Sequence, residues 1–178
     1  MKGIILAAGN SSRLYPMTLE KPKCLLEIGD GRKIIDYQVS ALNREGIDDV
    51  VVVVGCEKEQ IQKHLGNSVR YREFGDFEKF NNLHTLYSVR DELDEDSVIL
   101  YSDVIFSHKL MRRCVWSEED YCLLVHNKEV LENTARVKIR NGGIVDIGNH
   151  INPIEGDGNF VGVAKYSENG LADLVEEI

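Results

Sequence analysis

Five consecutive valines, Val50 to Val54, constrain the fold more than any other segment of the sequence. An uninterrupted apolar run of this length is typical of a strand buried on both faces, as in a parallel sheet covered by helices. The preceding stretch, from Ile34 to Glu45, predicts a helix that ends at Gly46, because its apolar residues recur at helical spacing: Ile35, Val39 and Leu42. A helix followed directly by a buried strand indicates a β-α-β arrangement.

The same alternation continues through the first hundred residues. Apolar periodicity and turn residues predict strands at residues 2–8, 68–73 and 97–101 and helices at residues 57–65 and 82–89. Repeated β-α-β units place helices on both faces of the sheet. We therefore expect a Rossmann-like, three-layer α/β/α fold with a mostly parallel sheet.

The last third of the sequence has a different character. Short strands are predicted at residues 121–126, 136–140, 144–147 and 160–166, and a closing helix at residues 171–178. The turn residues Asn141, Gly142 and Gly143 separate two of these strands, which indicates a β-hairpin. We expect one domain over residues 1–178, with this hairpin inserted in its last third.

Composition excludes several functional classes. The formal net charge of -9 argues against a general nucleic-acid or anionic-membrane surface, so an anionic ligand must meet a local cluster of cations. No apolar run approaches the roughly 18 residues of a membrane helix. The four cysteines and five histidines lie far apart, which favours a reducing cytoplasm over disulfides or a structural zinc site. The acidic segment 91–96 is expected to be a solvated helix end and loop.

The first loop carries the strongest chemical signal. The dinucleotide pattern G-x-G-x-x-G is incomplete in this chain and the P-loop pattern is absent. After the first strand, small residues let a ligand approach the backbone, and hydroxyls and cations that can hold an anion follow: Ala7, Ala8, Gly9, Asn10, Ser11, Ser12, Arg13 and Lys23. On spacing alone, an ordinary Gly/Ser loop with two surface cations explains the pattern equally well.

Two segments resemble a known group of enzymes. The first segment contains Leu6-Ala7-Ala8-Gly9, Arg13-Leu14, Pro16, Thr18 and Pro22-Lys23. It resembles the signature L-A-A-G-x-x-x-R-L-x-P-x-T-x-x-x-P-K of nucleoside-triphosphate transferases. These enzymes activate phosphorylated sugars and alcohols. Residues 80–88 together with residues 98–103 resemble bacterial choline-phosphate and phosphonate cytidylyltransferases. The resemblance is good over residues 1 to 106 and thinner beyond.

The resemblance implies transfer of CMP from CTP to a small phosphorylated or phosphonylated alcohol or amine, with release of pyrophosphate and use of Mg²⁺. It implies that Arg13, Lys23 and Asp103 are catalytic and that Asp103 is the metal ligand. It also implies a nucleotide site formed by Leu6, Ala7, Ala8, Gly9, Asn10, Ser11, Ser12, Arg13, Lys23, Asn81 and Asn82. Without the resemblance, Asp103 is better interpreted as a loop or capping aspartate, and Asn82 serves equally well as a helix N-cap.

The end of the sequence departs from the family pattern. Family members continue past the strand at residues 164–166 and supply a second metal-binding aspartate, so we expect the domain to lack that C-terminal segment. The later acids Asp173, Glu176 and Glu177 are expected to be solvated. Two alternative functions therefore stay open: a sugar-1-phosphate nucleotidyltransferase that uses another nucleotide, and a non-catalytic nucleotide-binding module. The sequence specifies neither the acceptor nor the oligomeric state.

Overall fold

The computed structural model describes residues 1–9, 14–75, 82–131 and 134–177. The described strands are β1 Lys2–Ala7, β2 Val50–Val54, β3 Arg70–Glu73, β4 Ser97–Tyr101, β5 Tyr121–His126, β6 Arg136–Arg140, β7 Gly143–Gly148 and β8 Gly158–Tyr166. The described α-helices are α1 Ile34–Arg44, α2 Lys58–Leu65, α3 Asn82–Tyr87, α4 His108–Val115 and α5 Glu168–Glu177. Short 3₁₀ helices cover Lys23–Leu25 and Arg90–Glu92.

All eight strands form one sheet, in which β5 pairs with β8 and the others follow the order β3-β2-β1-β4-β8-β6-β7. The strands β3, β2, β1 and β4 are parallel, whereas β8 joins β4 in the antiparallel direction. The β6–β7 hairpin, predicted from its turn residues, lies at the end of this order. Asn141 and Gly142, which lie between the two strands, both have the positive φ that such a tight turn requires, while Gly143 is the first residue of β7.

Two apolar clusters lie on opposite faces of the sheet. On one face, α1, α2 and α4 cover alternate residues of the parallel strands, including all of Val50, Val52 and Val54. On the other face, α3 and α5 cover the intervening residues, including Ile4, Leu6, Val53 and Ile99. The predicted three-layer α/β/α architecture is therefore confirmed, and the valine run is buried on both faces as its sequence indicates.

Strand β8 is irregular where it passes β5. Leu123 pairs with Ala164 while Val125 pairs with Phe160, so four residue steps along β8 correspond to only two along β5. Gly162 lies inside this bulge with φ +82°, a left-handed backbone conformation that favours glycine. The bulge lies beside the carboxyl end of β4, because Leu100 pairs with Val163.

The structure corrects the sequence predictions in several places. Helix α4 is not among the predicted elements, β3 begins two residues late, α3 ends two residues early and α5 begins three residues early. The prediction that the acidic segment is simply solvated is wrong for Glu92, whose side chain is only 10% exposed. Glu92 is buried because Lys2, Arg70 and Arg72 converge on its carboxylate.

The described helices include none with both the length and the apolar character that crossing a bilayer requires.

Candidate active site

The carboxyl ends of β1 and β4 lie side by side and form the floor of the candidate site. The Ser102 amide donates to the carbonyl of Leu6 at 3.3 Å, and the Cys56 amide donates to the carbonyl of Ala8 at 3.0 Å. Leu6, Ala7 and Ala8 are buried, while Gly9 is exposed. Among the described residues, nothing lies within 4 Å of a Cβ added at Gly9.

Lys23 reaches this edge from a short 3₁₀ helix that is anchored by its other two residues. Cys24 and Leu25 are buried in the cluster under α1. Burial raises the pKa of the Cys24 thiol to about 12, so the thiol stays protonated and acts as a small apolar anchor. The anchored helix holds Lys23 with its Nζ 2.7 Å from Oδ2 of Asp103.

The Lys23–Asp103 ion pair joins two residues that are eighty positions apart in sequence. The Lys23 side chain is 21% exposed and that of Asp103 is 41% exposed, so solvent and ligands reach the pair. Partly exposed ion pairs contribute only about 0 to 1 kcal/mol, because water screens the charges. An anion that binds Lys23 can therefore displace Asp103 at small cost and leave its carboxylate available to a cation.

Gln38 fixes the backbone on both sides of Asp103. This side chain extends from α1 and is completely buried. Its Nε2 donates to the carbonyl of Tyr101 at 2.8 Å and to the carbonyl of Val104 at 2.9 Å. Sequence reasoning missed Gln38, although its position inside the apolar stripe of α1 is a usable signal, since buried polar side chains are generally retained for their hydrogen bonds.

Asn82 approaches the site from the first turn of α3. Burial of the ring raises the pKa of Tyr101, the last residue of β4, and the nearby Asn82 side chain partly offsets this rise. The structure thus places Asn82 near the strand that leads into Asp103, which the sequence pattern did not predict.

The structure describes only some of the residues that the sequence analysis assigned to the site. The structure brings Leu6, Ala7, Ala8 and Gly9 to the same sheet edge as Lys23 and Asp103, and Asn82 lies near the end of β4. The remaining predicted residues lie outside the described part of the chain: Asn10, Ser11, Ser12, Arg13 and Asn81. Of the later acids, Asp173 hydrogen-bonds to the hydroxyl of Tyr121.

The sheet edge that carries the candidate site lies in a part of the chain that matches a known protein family. The Nucleotidyl transferase family model matches residues 2–134. The chain belongs to this family. The matched residues include β1, the 3₁₀ helix that carries Lys23, and β4. Both members of the Lys23–Asp103 pair therefore lie within the matched segment.

Individual relatives of this nucleotidyl transferase differ in their named substrates. CTP:phosphoglutamine cytidylyltransferase of Campylobacter jejuni is 29% identical to this chain, and the match covers 98% of this chain and 76% of the relative's length. Choline-phosphate cytidylyltransferase of Streptococcus pneumoniae is 38% identical over 61% of this chain and 47% of its own. A putative glucose-1-phosphate thymidylyltransferase of Bacillus anthracis, solved with sucrose, has a TM-score of 0.79 at 25% identity, covering 97% and 73% of the two chains.

This nucleotidyl transferase therefore spans about three quarters of one cytidylyltransferase relative and less than half of the other.

Members of this family commonly use Mg²⁺, and the donor set at the site fits that ion. Within residues 1–9, 14–75, 82–131 and 134–177, no three His, Cys, Asp or Glu side chains form a ready-made metal cluster. Mg²⁺ in nucleotide enzymes is usually held by one or two carboxylates together with substrate phosphates and water. Asp103 is a partly exposed carboxylate at the strand edge, so it can serve as such a ligand.

Proposed function

We propose that this protein transfers CMP from CTP to a small phosphorylated or phosphonylated alcohol or amine and releases pyrophosphate. The observation that carries the proposal is the Lys23–Asp103 pair, which combines a cation for the triphosphate with a carboxylate for a metal ion at one sheet edge. Ligands of open α/β sheets bind at the carboxyl ends of the strands. The cytidylyltransferase relatives support the choice of CTP.

The chemistry is an in-line substitution at phosphorus. An oxygen of the acceptor phosphate or phosphonate forms a new bond to the α-phosphorus of CTP, while the bond from that phosphorus to the bridging oxygen breaks. Pyrophosphate takes the electron pair and leaves. Such reactions need positioning and charge neutralisation rather than a covalent enzyme intermediate.

The residues of the chain have separate roles in this proposal. Lys23 exchanges its contact with Asp103 for the phosphates and neutralises charge at the reacting centre. Arg13 adds a second cation, and the backbone of the loop from Leu6 to Arg13 binds the nucleotide. Asp103, once released, would hold Mg²⁺, which would supply positive charge at the reacting centre. Asn81 and Asn82 offer amides to the base or the ribose.

A second function is favoured by a specific observation. The structural likeness to a glucose-1-phosphate thymidylyltransferase extends over 97% of this chain. A sugar 1-phosphate with UTP or dTTP is therefore the alternative pair of substrates. The reaction at phosphorus and the role of Lys23 are the same in both cases.

Pyrophosphate release from a substrate panel tests the proposal. CTP, UTP, dTTP, GTP and ATP are each combined with phosphocholine, phosphoethanolamine, 2-aminoethylphosphonate or glucose 1-phosphate in the presence of Mg²⁺. We expect the fastest release with CTP and a non-sugar acceptor. Faster release with UTP or dTTP and glucose 1-phosphate would establish the alternative, and nucleotide binding without release would indicate a binding module.

Replacement of Lys23 tests the role of the ion pair. We expect Lys23→Ala to slow turnover by about 10²-fold or more, the usual cost of losing one electrostatic contact to a transition state. The fold should persist, because Cys24 and Leu25 anchor the helix without the lysine side chain. Lys21→Ala removes the same charge from an exposed position two residues earlier and should leave turnover within about twofold. Near-normal pyrophosphate release by Lys23→Ala would contradict the proposal.

A further inference from the structure

A cavity of about 510 Å³ opens where the 3₁₀ helix Lys23–Leu25, the amino end of α1 and helix α2 meet. Its volume falls within the usual range of small-molecule sites, roughly 300 to 1,000 Å³. Neither Lys23 nor Asp103 lines it, so the cavity is separate from the candidate active site. The described residues that line it are Leu25, Lys33, Gln60, Lys63 and His64.

Asp36, His64 and Lys33 form a hydrogen-bonded chain at one wall of this cavity. Nζ of Lys33 lies 3.2 Å from Nδ1 of His64. An ammonium group only donates, so Nδ1 accepts, and the ring proton is on Nε2, which donates to Oδ1 of Asp36 at 2.7 Å. The other oxygen of this carboxylate accepts a bond from the Lys33 backbone amide at 3.2 Å. The Lys33 ammonium therefore has a neutral imidazole as its partner.

The cavity gathers positive charge that the protein does not neutralise. Lys2, Lys58 and Lys138 each have a carboxylate oxygen at 2.6 to 2.8 Å. Over the described part of the chain, no ion pair involves Lys33 or Lys63. Two ammonium groups thus line one concave surface of a chain whose formal net charge is -9. Such a local cluster of cations attracts an anion even when the whole protein is acidic.

We propose that this cavity binds a small phosphorylated anion with two or more negative charges, held by the ammonium groups of Lys33 and Lys63. Phosphate oxygens form strong charge-assisted hydrogen bonds with ammonium groups. When the anion binds, Lys33 exchanges the neutral ring of His64 for a charged oxygen, while Asp36 stays engaged at both of its oxygens. The inference goes beyond the proposed function and does not depend on it.

Titration with inorganic pyrophosphate, without Mg²⁺ and at constant pH and ionic strength, tests the inference by NMR of the histidine rings. We expect a saturable shift of the His64 signals, which are identified by their loss in His64→Gln. The signals of His150, beyond β7, should stay in place. Lys33→Ala and Lys63→Ala should each weaken the binding about five- to tenfold, the scale of one charge-assisted contact at a partly exposed site.

Two control variants separate this cavity from other cationic positions. Lys109→Ala removes an exposed lysine from α4 and should leave the affinity unchanged. Lys23→Ala removes the cation of the candidate active site, and the shift of His64 should persist with the same affinity. The fold should tolerate Lys33→Ala because the backbone amide that Asp36 binds is kept, and Lys63 is exposed on α2.

Four results would overturn the inference. No saturable shift of His64 up to about 10 mM pyrophosphate would mean that the cavity is not an anion site. Unchanged affinity in both Lys33→Ala and Lys63→Ala would mean that these lysines do not hold the anion. An equal loss in Lys109→Ala would indicate general attraction between charges, and loss of the shift in Lys23→Ala would place the anion at the candidate active site. A failure of the substrate panel to release pyrophosphate would contradict the proposed function and leave this site standing.

Discussion

At the scale of single residues, Gln38 determines how firmly the segment around Asp103 is held. Its two amide hydrogens satisfy the carbonyls of Tyr101 and Val104, while its own Oε1 is buried and has no partner among the described residues. An unpaired buried oxygen is unfavourable, so its presence indicates that the two donated bonds outweigh it. The carboxylate of the candidate site thus depends on a side chain that is itself completely buried.

Gln38→Met tests this dependence. Methionine has a similar length but donates no hydrogen bond, so two carbonyls lose their donor while the unpaired oxygen disappears. We expect the free energy of unfolding to fall by about 1 to 3 kcal/mol, the usual cost of leaving buried polar groups unpaired. Turnover should fall beyond the loss of folded protein, because Asp103 is less well fixed.

The control for this variant is Gln62→Met on α2, where the glutamine is only half-buried. Denaturant unfolding and pyrophosphate release are compared for the two variants. Equal stability of Gln38→Met and the wild-type protein would show that the two bonds to the carbonyls contribute nothing.

The sequence predicted part of the candidate site and missed the rest for a physical reason. Lys23 and Asp103 were predicted because their motifs resemble those of a family, and the structure brings them into contact. Gln38 belongs to no motif, and its importance comes from hydrogen bonds across the fold, to carbonyls 63 and 66 positions away in sequence. Helical periodicity identifies the buried face of α1 but does not show which carbonyls a glutamine on that face will meet.

At the scale of elements, an ion-pair network joins β1, β3 and the 3₁₀ helix Arg90–Glu92 at the amino ends of the parallel strands. Arg70 bonds to both oxygens of Asp49, at 2.8 and 3.0 Å, and to both oxygens of Glu92, at 2.9 Å each. Hydrogen bonds from Arg70 are the largest cause of the lowered pKa values of Asp49 and Glu92. These carboxylates therefore favour the folded state while they are ionised.

Arg70→Gln should lower the free energy of unfolding at pH 7 by about 1 to 3 kcal/mol. This loss of stability is smaller than the loss expected on breaking a fully buried ion pair, because Arg70 is half-exposed and water screens its charge. A lowered folded-state pKa gives stability that is present above the unfolded-state pKa, near 4, and that disappears as the pH falls through the folded-state value. The difference between the variant and the wild-type protein should therefore shrink toward pH 3.

Urea unfolding at pH 7 and at pH 3 checks this expectation, with Arg112→Gln, an exposed change on α4, as the control. A difference between Arg70→Gln and the wild-type protein that is the same at both pH values would mean that the carboxylates do not supply the stability.

Most elements were predictable because their patterns are local. The bounds of β2, β4, β5 and β6 agree with the predicted ones, since each is a run of apolar or alternating residues flanked by polar or turn residues. Helix α4 was missed, although Ser107 accepts a hydrogen bond from the Leu110 amide at its start and Met111, Cys114 and Val115 form its buried face. Its two arginines and one lysine make the segment polar on average, which conceals a short apolar stripe.

At the scale of the whole molecule, ligand binding should be visible as stability. CTP at about 100 times its dissociation constant is expected to add about 2.7 kcal/mol, or about 5 to 10 °C in Tm for a domain of this size. The shift should require Mg²⁺, because Asp103 and the triphosphate are both anionic and repel each other without a cation between them.

Thermal unfolding with and without Mg²⁺ checks this, and Asp103→Asn should reduce the dependence on the metal. Asp48→Asn, which removes a carboxylate beside the amino end of β2, is the control and should behave as the wild-type protein does. The same Mg²⁺ dependence in Asp103→Asn and the wild-type protein would remove Asp103 from the metal site.

Strand β1 comes first in the chain but lies in the middle of the parallel strands, and this order governs how the protein reaches its folded state. Its partners are β2 and β4, and β4 is in turn covered by β8 from the last part of the chain. Closing such long loops costs entropy before the contacts form, so folding is slower than in chains where sequence neighbours pair first. During synthesis, the apolar β1 stays without its β4 partner until residue 101 has left the ribosome. Protection of that strand from aggregation is therefore a condition for obtaining active protein.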